Sequence, residues 1–326
     1  MSVVSFALIG CGSMGRTLAD SLREHRDSHL VAAADPNEDA RLQAVAKYGV
    51  QGYTRYEDLL QRDDIDAVVV ATPSYLHKEV AVAAAKAGKH VFCEKPMALN
   101  TADCDAMLQA AKDAGVKLMV GHVLRLMFPW WRIKELAGEN ELGAPFCVSI
   151  RRYSRMFPRG WRAQSELSGG QLFEVHVHEL DFMRHLCGEV AEVSANGGSF
   201  ACDDGGKCDV YLINLRFRSG AVGQLHGGAT TGRSRFEGQV LCPRGALLFG
   251  PDWGTGTMEQ GDREPQPVDP DVRTGPVGVD WELDSFLRWL LHGDPPVLTG
   301  EDGRAAVQLA EAAHRSIADA RPVDLS

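Results

Sequence analysis

The residues best suited to chemistry fall into four short segments. The first is Gly10-Cys11-Gly12-Ser13-Met14-Gly15, a GxGxxG between an apolar run at 3–9 and a helical pattern at 13–25. At such a junction backbone N–H groups and a helix N-terminus face a bound pyrophosphate. Gly10 permits the tight turn, Gly12 lets phosphates approach, and Gly15 lets helix and strand pack closely. An acid, Asp35, ends the next apolar run and is placed to accept hydrogen bonds from a ribose diol. Its carboxylate repels a 2′-phosphate and the next residue is Pro36, so NAD is expected ahead of NADP, with Arg41 one helical turn on and within reach of such a phosphate.

Two further segments stand where parallel strands should end, which is where such sheets bind ligands. Ala71-Thr72-Pro73-Ser74 closes one run, with His77 a turn later, and Cys93-Glu94-Lys95-Pro96 closes the next. A Glu-Lys pair at a strand end must be solvated or used. Pro96 holds Lys95 in extended backbone, from which its amine can project into a crevice.

The fourth segment runs from Gly169-Gly170 to Asp181. Glu174, His178 and Asp181 are spaced i, i+4, i+7 and would share one helix face, with Glu174 orienting the His178 ring as a general base. The Glu174, His176, His178 alternation also has ligand spacing on a strand. No third imidazole or thiolate cluster accompanies it, so no metal is expected and His176 is read as structural.

The elements around these segments follow from periodicity. Apolar runs at 3–9, 30–34, 67–71, 90–93 and 117–120 alternate with helical patterns at 13–25, 37–48, 56–61, 76–87 and 101–114, with Ser74 a candidate N-cap and Gly88 and Gly115 candidate C′ residues. This alternation implies βαβ units and a doubly wound parallel sheet over residues 1–121. Beyond it, over 122–326, come a helix at 128–136, a strand at 146–153, a short helix at 177–186 stopped by Gly188, and strands at 209–218 and 221–226 joined at Ser219-Gly220. Few helices separate these strands, so the second sheet should be large, open and mostly antiparallel. One face can take the helices; the other is a candidate interface for a homodimer or homotetramer. Residues 250–279 lack a period and read as a long loop, and helices at 281–291 and 301–320 close the chain.

The bulk numbers narrow the partners. With 34 basic and 44 acidic residues the net charge is −10, which argues against nucleic acid and anionic membranes. No apolar run is long enough to span a bilayer and no signal-like segment opens the chain, so a cytoplasmic protein is expected. The eight cysteines form no CxxC pair, Cys202 and Cys208 lack a second pair for zinc, and all read as reduced, inert thiols.

Taken together, these segments resemble the Gfo/Idh/MocA oxidoreductases, the family of glucose–fructose oxidoreductase and inositol dehydrogenase. The resemblance rests on Gly10 to Gly15, Asp35, Ala71-Thr72-Pro73 with His77, Glu94-Lys95-Pro96, Gly121 with Arg125, Gly169-Gly170, and Glu174 with His178 and Asp181, and it spans almost the whole chain. It implies an N-terminal Rossmann domain, a C-terminal α/β domain used for oligomerisation, and hydride transfer between NAD(P) and a sugar, sugar derivative or cyclitol. It implies Lys95 as the catalytic lysine with His178 as its partner across the substrate, the immediate acid/base of the two being open. Arg125 and Trp161 would line the substrate crevice. His176, Val123 and Glu174 depart from the family pattern and would reshape the pocket. Two other activities fit the same residues: redox-neutral, NAD-dependent cleavage of a glycoside, and NAD-binding regulation without turnover, against which the presence of both Lys95 and His178 argues.

Overall fold

A computed structural model describes residues 3–138, 141–155, 159–200, 209–230, 233–251, 255–269 and 275–325; Cys202 and Cys208 lie outside them. Contacts divide the chain into two compact units, residues 1–123 with 276–307, and 124–275 with 308–326.

In the first unit β1 (Val4–Ile9), α1 (Ser13–Glu24), β2 (Ser28–Ala34), α2 (Glu38–Tyr48), β3 (Gln51–Tyr53), α3 (Tyr56–Leu60), β4 (Ala67–Val70), α4 (His77–Lys86), β5 (His90–Glu94), α5 (Thr101–Ala114) and β6 (Leu118–Gly121) follow in turn. The strands form one parallel sheet in the order β3-β2-β1-β4-β5-β6. A helix after most strands leaves room only for crossover connections, hence parallel pairing. Helices on both faces bury the sheet, and β4 is buried at every position. The order reverses between β1 and β4. Loops leaving the carboxyl ends of those two strands therefore diverge and open a crevice. Helix ends are set by local chemistry: Asn37 and Asn100 accept from the N–H groups of Ala40 and Asp103, and Gly49 and Gly115 end α2 and α5 in the left-handed conformation. Ser74 departs from the expected N-cap: it begins a 3-10 turn, Ser74–Leu76, and α4 starts at His77.

The second sheet is built from β7 (Cys147–Arg155), β8 (Val190–Gly198), β9 (Val210–Phe217), β10 (Val222–Thr230), β11 (Arg235–Cys242), β12 (Gly245–Phe249), β13 (Gly256–Glu259), β14 (Gln266–Pro267) and β15 (Val323–Asp324), with helices α6 (Trp130–Leu136), α7 (Ser165–Ser168), α8 (Val177–Cys187), α9 (Val279–His292) and α10 (Gly300–Asp319) along the same stretch of chain. Its order is β14-β13-β12-β11-β7-β10-β9-β8-β15. Among the described residues only the β7–β10 pair is parallel, so the sheet is mixed and mostly antiparallel. α8 lies against β7 and β10. Beside it the buried Trp130 ring meets Phe182, Phe236 and Phe249 at 4.6, 4.7 and 5.2 Å. The α9 helix belongs to the first unit, where Phe286 packs edge-on to Phe6 and Phe92.

One expected element is corrected. The aperiodic stretch 250–279 contains β13 and β14, which extend the sheet to its edge, while 252–254 and 270–274 lie outside the described residues. Short edge strands are held by backbone pairing and need no alternation of side chains, so periodicity does not reveal them. Among the described residues no helix is long and apolar enough to cross a membrane. Of the described cysteines, five are buried and Cys147 is partly so, all as free thiols.

Candidate functional site

The glycine turn after β1 is dictated by contacts that a side chain would break. Gly10 has φ +99°, and a Cβ there would stand 2.5 Å from the Ala71 carbonyl oxygen. A Cβ on Gly15 would stand 2.0 Å from the Gly10 carbonyl oxygen. Both positions therefore admit glycine alone. Gly12 is different: nothing lies within 4 Å of its would-be Cβ. It is also the N-cap of α1 and supplies no side-chain hydrogen bond to the first turn. The helix N-terminus thus faces open space, which is the cradle a dinucleotide pyrophosphate requires.

Asp35 does more than the sequence indicated. Its Oδ2 accepts the Cys11 N–H at 2.7 Å and its Oδ1 the Asn37 N–H at 2.8 Å, so the carboxylate also ties the glycine turn to the end of β2. Arg41 donates to the Asp35 carbonyl and Arg16 to the Cys11 carbonyl. The Cys11 thiol is pushed up to about 12 by burial and by the Asp35 charge, so it is packing rather than a nucleophile.

Ala71, Thr72 and Pro73 leave β4 beside this turn. The Thr72 hydroxyl is buried with no hydrogen-bond partner among the described residues. Such an orphan at a ligand-binding strand end fits a cofactor that would satisfy it. His77 is 1% exposed and reaches two backbone carbonyls, Pro96 from Nδ1 at 2.8 Å and Thr72 from Nε2 at 2.9 Å. Glu94 is buried at the end of β5, and its Oε2 accepts the Lys95 N–H at 3.2 Å. Lys95 itself is partly exposed. These contacts hold the peptide groups before Lys95 and after Pro96.

In the second unit the run from Glu174 to Asp181 is not one α-helix. Residues Leu172–His176 form a π-turn and α8 begins at Val177. Glu174 lies within that π-helical turn and His178 in the first turn of α8 just beyond it. Gly169 and Gly170, at φ +75° and +76°, lead into that turn, and a Cβ on Gly169 would stand 2.6 Å from the Phe173 ring. Glu174 is buried and its Oε2 accepts from Arg162 Nε at 3.1 Å. The Arg162 guanidinium also lies 4.9 Å over the Trp161 ring, so Trp161, Arg162 and Glu174 form one group. His178 is partly exposed in the first turn of α8. Arg125, expected in a substrate crevice, is a buried partner of Asp181: Nε donates to Oδ2 at 2.7 Å and Nη2 to Oδ1 at 2.6 Å. That pair fixes the turn Val123–Leu126 against α8.

Arg162 was missed from sequence. Its partner lies twelve positions on, across two turns and two glycines, and no helical or strand period relates them. His176, read from sequence as structural, is fully buried, and its partners lie outside what the sequence shows. Its Nδ1 is 3.4 Å from Glu179 Oε2, and Glu179 Oε1 accepts from Arg152 Nη1 at 2.5 Å. Burial raises the Glu179 carboxyl, but Arg152 and His176 outweigh it and the group lies below its ordinary value. Burial dominates for His176 and pushes its ring below the ordinary 6.5. The folded protein therefore keeps this ring neutral at a pH where the unfolded chain takes a proton. Its contribution to stability is complete above 6.5 and is withdrawn as pH falls below that value. His176→Gln should flatten the loss of urea stability between neutrality and pH ~5; a slope equal to that of the unmodified protein would mean the ring does not titrate in that window. Among the described residues no three His, Cys, Asp or Glu side chains are grouped to hold a metal ion.

Residues 4–122 match the model of an oxidoreductase family with an NAD-binding Rossmann fold, and residues 130–248 match the GFO/IDH/MocA C-terminal domain. The chain is 32% identical to a myo-inositol 2-dehydrogenase of Thermotoga maritima, over 98% of this chain and 97% of that protein. It is 30% identical to a 2,7-anhydro-N-acetylneuraminate hydratase of Mediterraneibacter gnavus, over 100% and 98%. The solved structure of an aldose-aldose oxidoreductase from Caulobacter crescentus, complexed with glycerol, superposes with a TM-score of 0.90 at 28% identity, covering 99% of this chain and 100% of that one.

Proposed function

The chain belongs to the GFO/IDH/MocA oxidoreductase family, and from that premise we propose that it is an NAD-dependent dehydrogenase acting on a carbinol carbon of a sugar, sugar derivative or cyclitol. The observation that carries the reading is the glycine turn: two positions where no side chain fits, and one, Gly12, opening an uncapped helix N-terminus to a ligand.

When bound, NAD supplies the hydride acceptor, and NADH the donor for the reverse reaction. The residues that would hold it are the Gly10–Gly15 turn, Asp35 for the ribose, the segment Ala71-Thr72-Pro73 and the backbone of Glu94-Lys95, with His77 behind them. Asp35 favours NAD over NADP by repelling a 2′-phosphate, and Arg41 is already committed to the Asp35 carbonyl. Lys95 hydrogen-bonds the reacting oxygen and stabilises the alkoxide as it develops. Lys95 and His178 are the acid–base pair that moves the hydroxyl proton. Glu174, anchored by Arg162, supplies negative charge in the turn that precedes His178. Trp161 offers an aromatic face to the substrate. Arg125 works through Asp181, bracing the helix that carries His178.

The exposed face of the second sheet carries Leu212, Val222 and Leu248, at 43%, 50% and 37% exposure, among polar residues. That open face is where the chain would self-associate into a homodimer or homotetramer. Buried thiols outside any disulfide, among the described residues, are in keeping with a cytoplasmic protein.

The test is the appearance of reduced nicotinamide when the purified protein meets NAD and a panel of inositols, hexoses and glycosides. A signal with a polyol supports dehydrogenation. Similarity to a hydratase favours a second reading, in which a sugar is oxidised and restored within one turnover. That reading predicts product without net reduced nicotinamide. Binding of NAD with neither outcome would sink both.

A further inference from the structure

His77 stands at the junction of the two segments that leave β4 and β5. Its Nδ1 lies 2.8 Å from the Pro96 carbonyl oxygen and its Nε2 2.9 Å from the Thr72 carbonyl oxygen, with the side chain buried. A carbonyl oxygen can only accept. A neutral imidazole carries one N–H and would turn a lone pair on one of these two oxygens. A ring with both protons donates to both, through charge-assisted bonds roughly twice as strong as neutral ones.

We propose that His77 is held as an imidazolium that clamps the Thr72 carbonyl to the Pro96 carbonyl, and that through this clamp it is the positioning residue for Lys95. The positioning role rests on the reading of Lys95 as the working amine. The backbone around Lys95 is then fixed before Lys95 and after Pro96: the Glu94 carboxylate takes the Lys95 N–H, and His77 takes the carbonyl of Pro96.

Two terms oppose the charge. Burial disfavours it, and His77 is the first residue of α4, whose dipole is positive at that end. Two charge-assisted bonds act the other way. The titratable groups on the elements packed against α4 are Tyr75 in the turn before it, Tyr56, Glu57 and Asp58 on α3, His90, Cys93 and Glu94 on β5 with Lys95 next in the chain, and Asp103, Cys104, Asp105, Lys112 and Asp113 on α5. On α4 itself Lys78 pairs with Asp103, and Glu79 accepts from the Tyr56 hydroxyl.

The direct test is ¹⁵N NMR of the histidine rings in the whole protein, with His77 assigned by through-bond correlation to its backbone. At pH ~8, above the ordinary histidine range, both ring nitrogens of His77 should report as protonated. One nitrogen in the unprotonated range overturns the imidazolium. His77→Gln, whose neutral amide cannot supply charge-assisted bonds, should lower kcat about 10-fold while the Kd for NAD holds within about 3-fold. An unchanged kcat overturns the positioning role. A protein without turnover overturns that role together with the redox reading, and leaves the protonation claim to the spectrum, which needs no substrate.

Discussion

Lys95→Met should lower kcat on the polyol substrate about 10³-fold, the size expected when a preorganised donor to a developing alkoxide is lost together with a share of proton transfer. The substitution keeps the length and the apolar stem of the side chain. The surrounding backbone is held without the amine, by Glu94 on one side and His77 on the other. Urea stability and NAD affinity should therefore stay close to those of the unmodified protein. The split is what makes the result informative: folding and cofactor binding intact, turnover gone. A loss under about 10-fold would place Lys95 outside the chemistry. A matching loss of NAD affinity would make it a cofactor ligand instead.

Arg125→Met should cost about 3–5 kcal/mol of folding stability, because it removes the bidentate partner of a buried carboxylate. The two side chains are 5% and 0% exposed and joined by two short hydrogen bonds, so water cannot replace the guanidinium. Arg125→Lys should recover little of this, since a single ammonium cannot reproduce the paired geometry. Arg125→Met combined with Asp181→Leu should recover most of it, because replacing both members of a buried pair with apolar groups removes the buried charge. Urea unfolding of the three variants measures the set. A cost below about 1 kcal/mol for Arg125→Met would mean that solvent reaches Asp181 in the folded state.

The parts of this protein legible in the sequence are those whose causes are local. Gly10, Gly12 and Gly15 stand out because a turn, a helix start and a strand end must coincide within a few residues. Asp35 stands out because the second strand ends there. The strand-end segments at Thr72 and Lys95 follow from the same sheet, and the alternation of the first 120 residues admits few other folds. The causes that stayed hidden act between residues far apart in the chain. The bidentate hold of Asp181 on Arg125 joins positions 56 apart, and the two carbonyls around His77 belong to different loops. Arg162 meets Glu174 only because Gly169 and Gly170 reverse the chain between them. The π-turn at Leu172–His176 was invisible because its residues have ordinary helical character; one extra residue per turn leaves no mark on composition. The strands β13 and β14 were invisible because backbone pairing alone makes them.

The central claim is that a hydride passes from a carbinol carbon of the substrate to the nicotinamide. The most direct measurement is a single turnover with excess enzyme, NAD, and polyols carrying deuterium at their carbinol carbons, followed by mass analysis of the nicotinamide ring. Deuterium at C4 of the reduced nicotinamide, absent with Lys95→Met, is the predicted result. A bound NAD that never acquires deuterium from any member of the panel would contradict the claim.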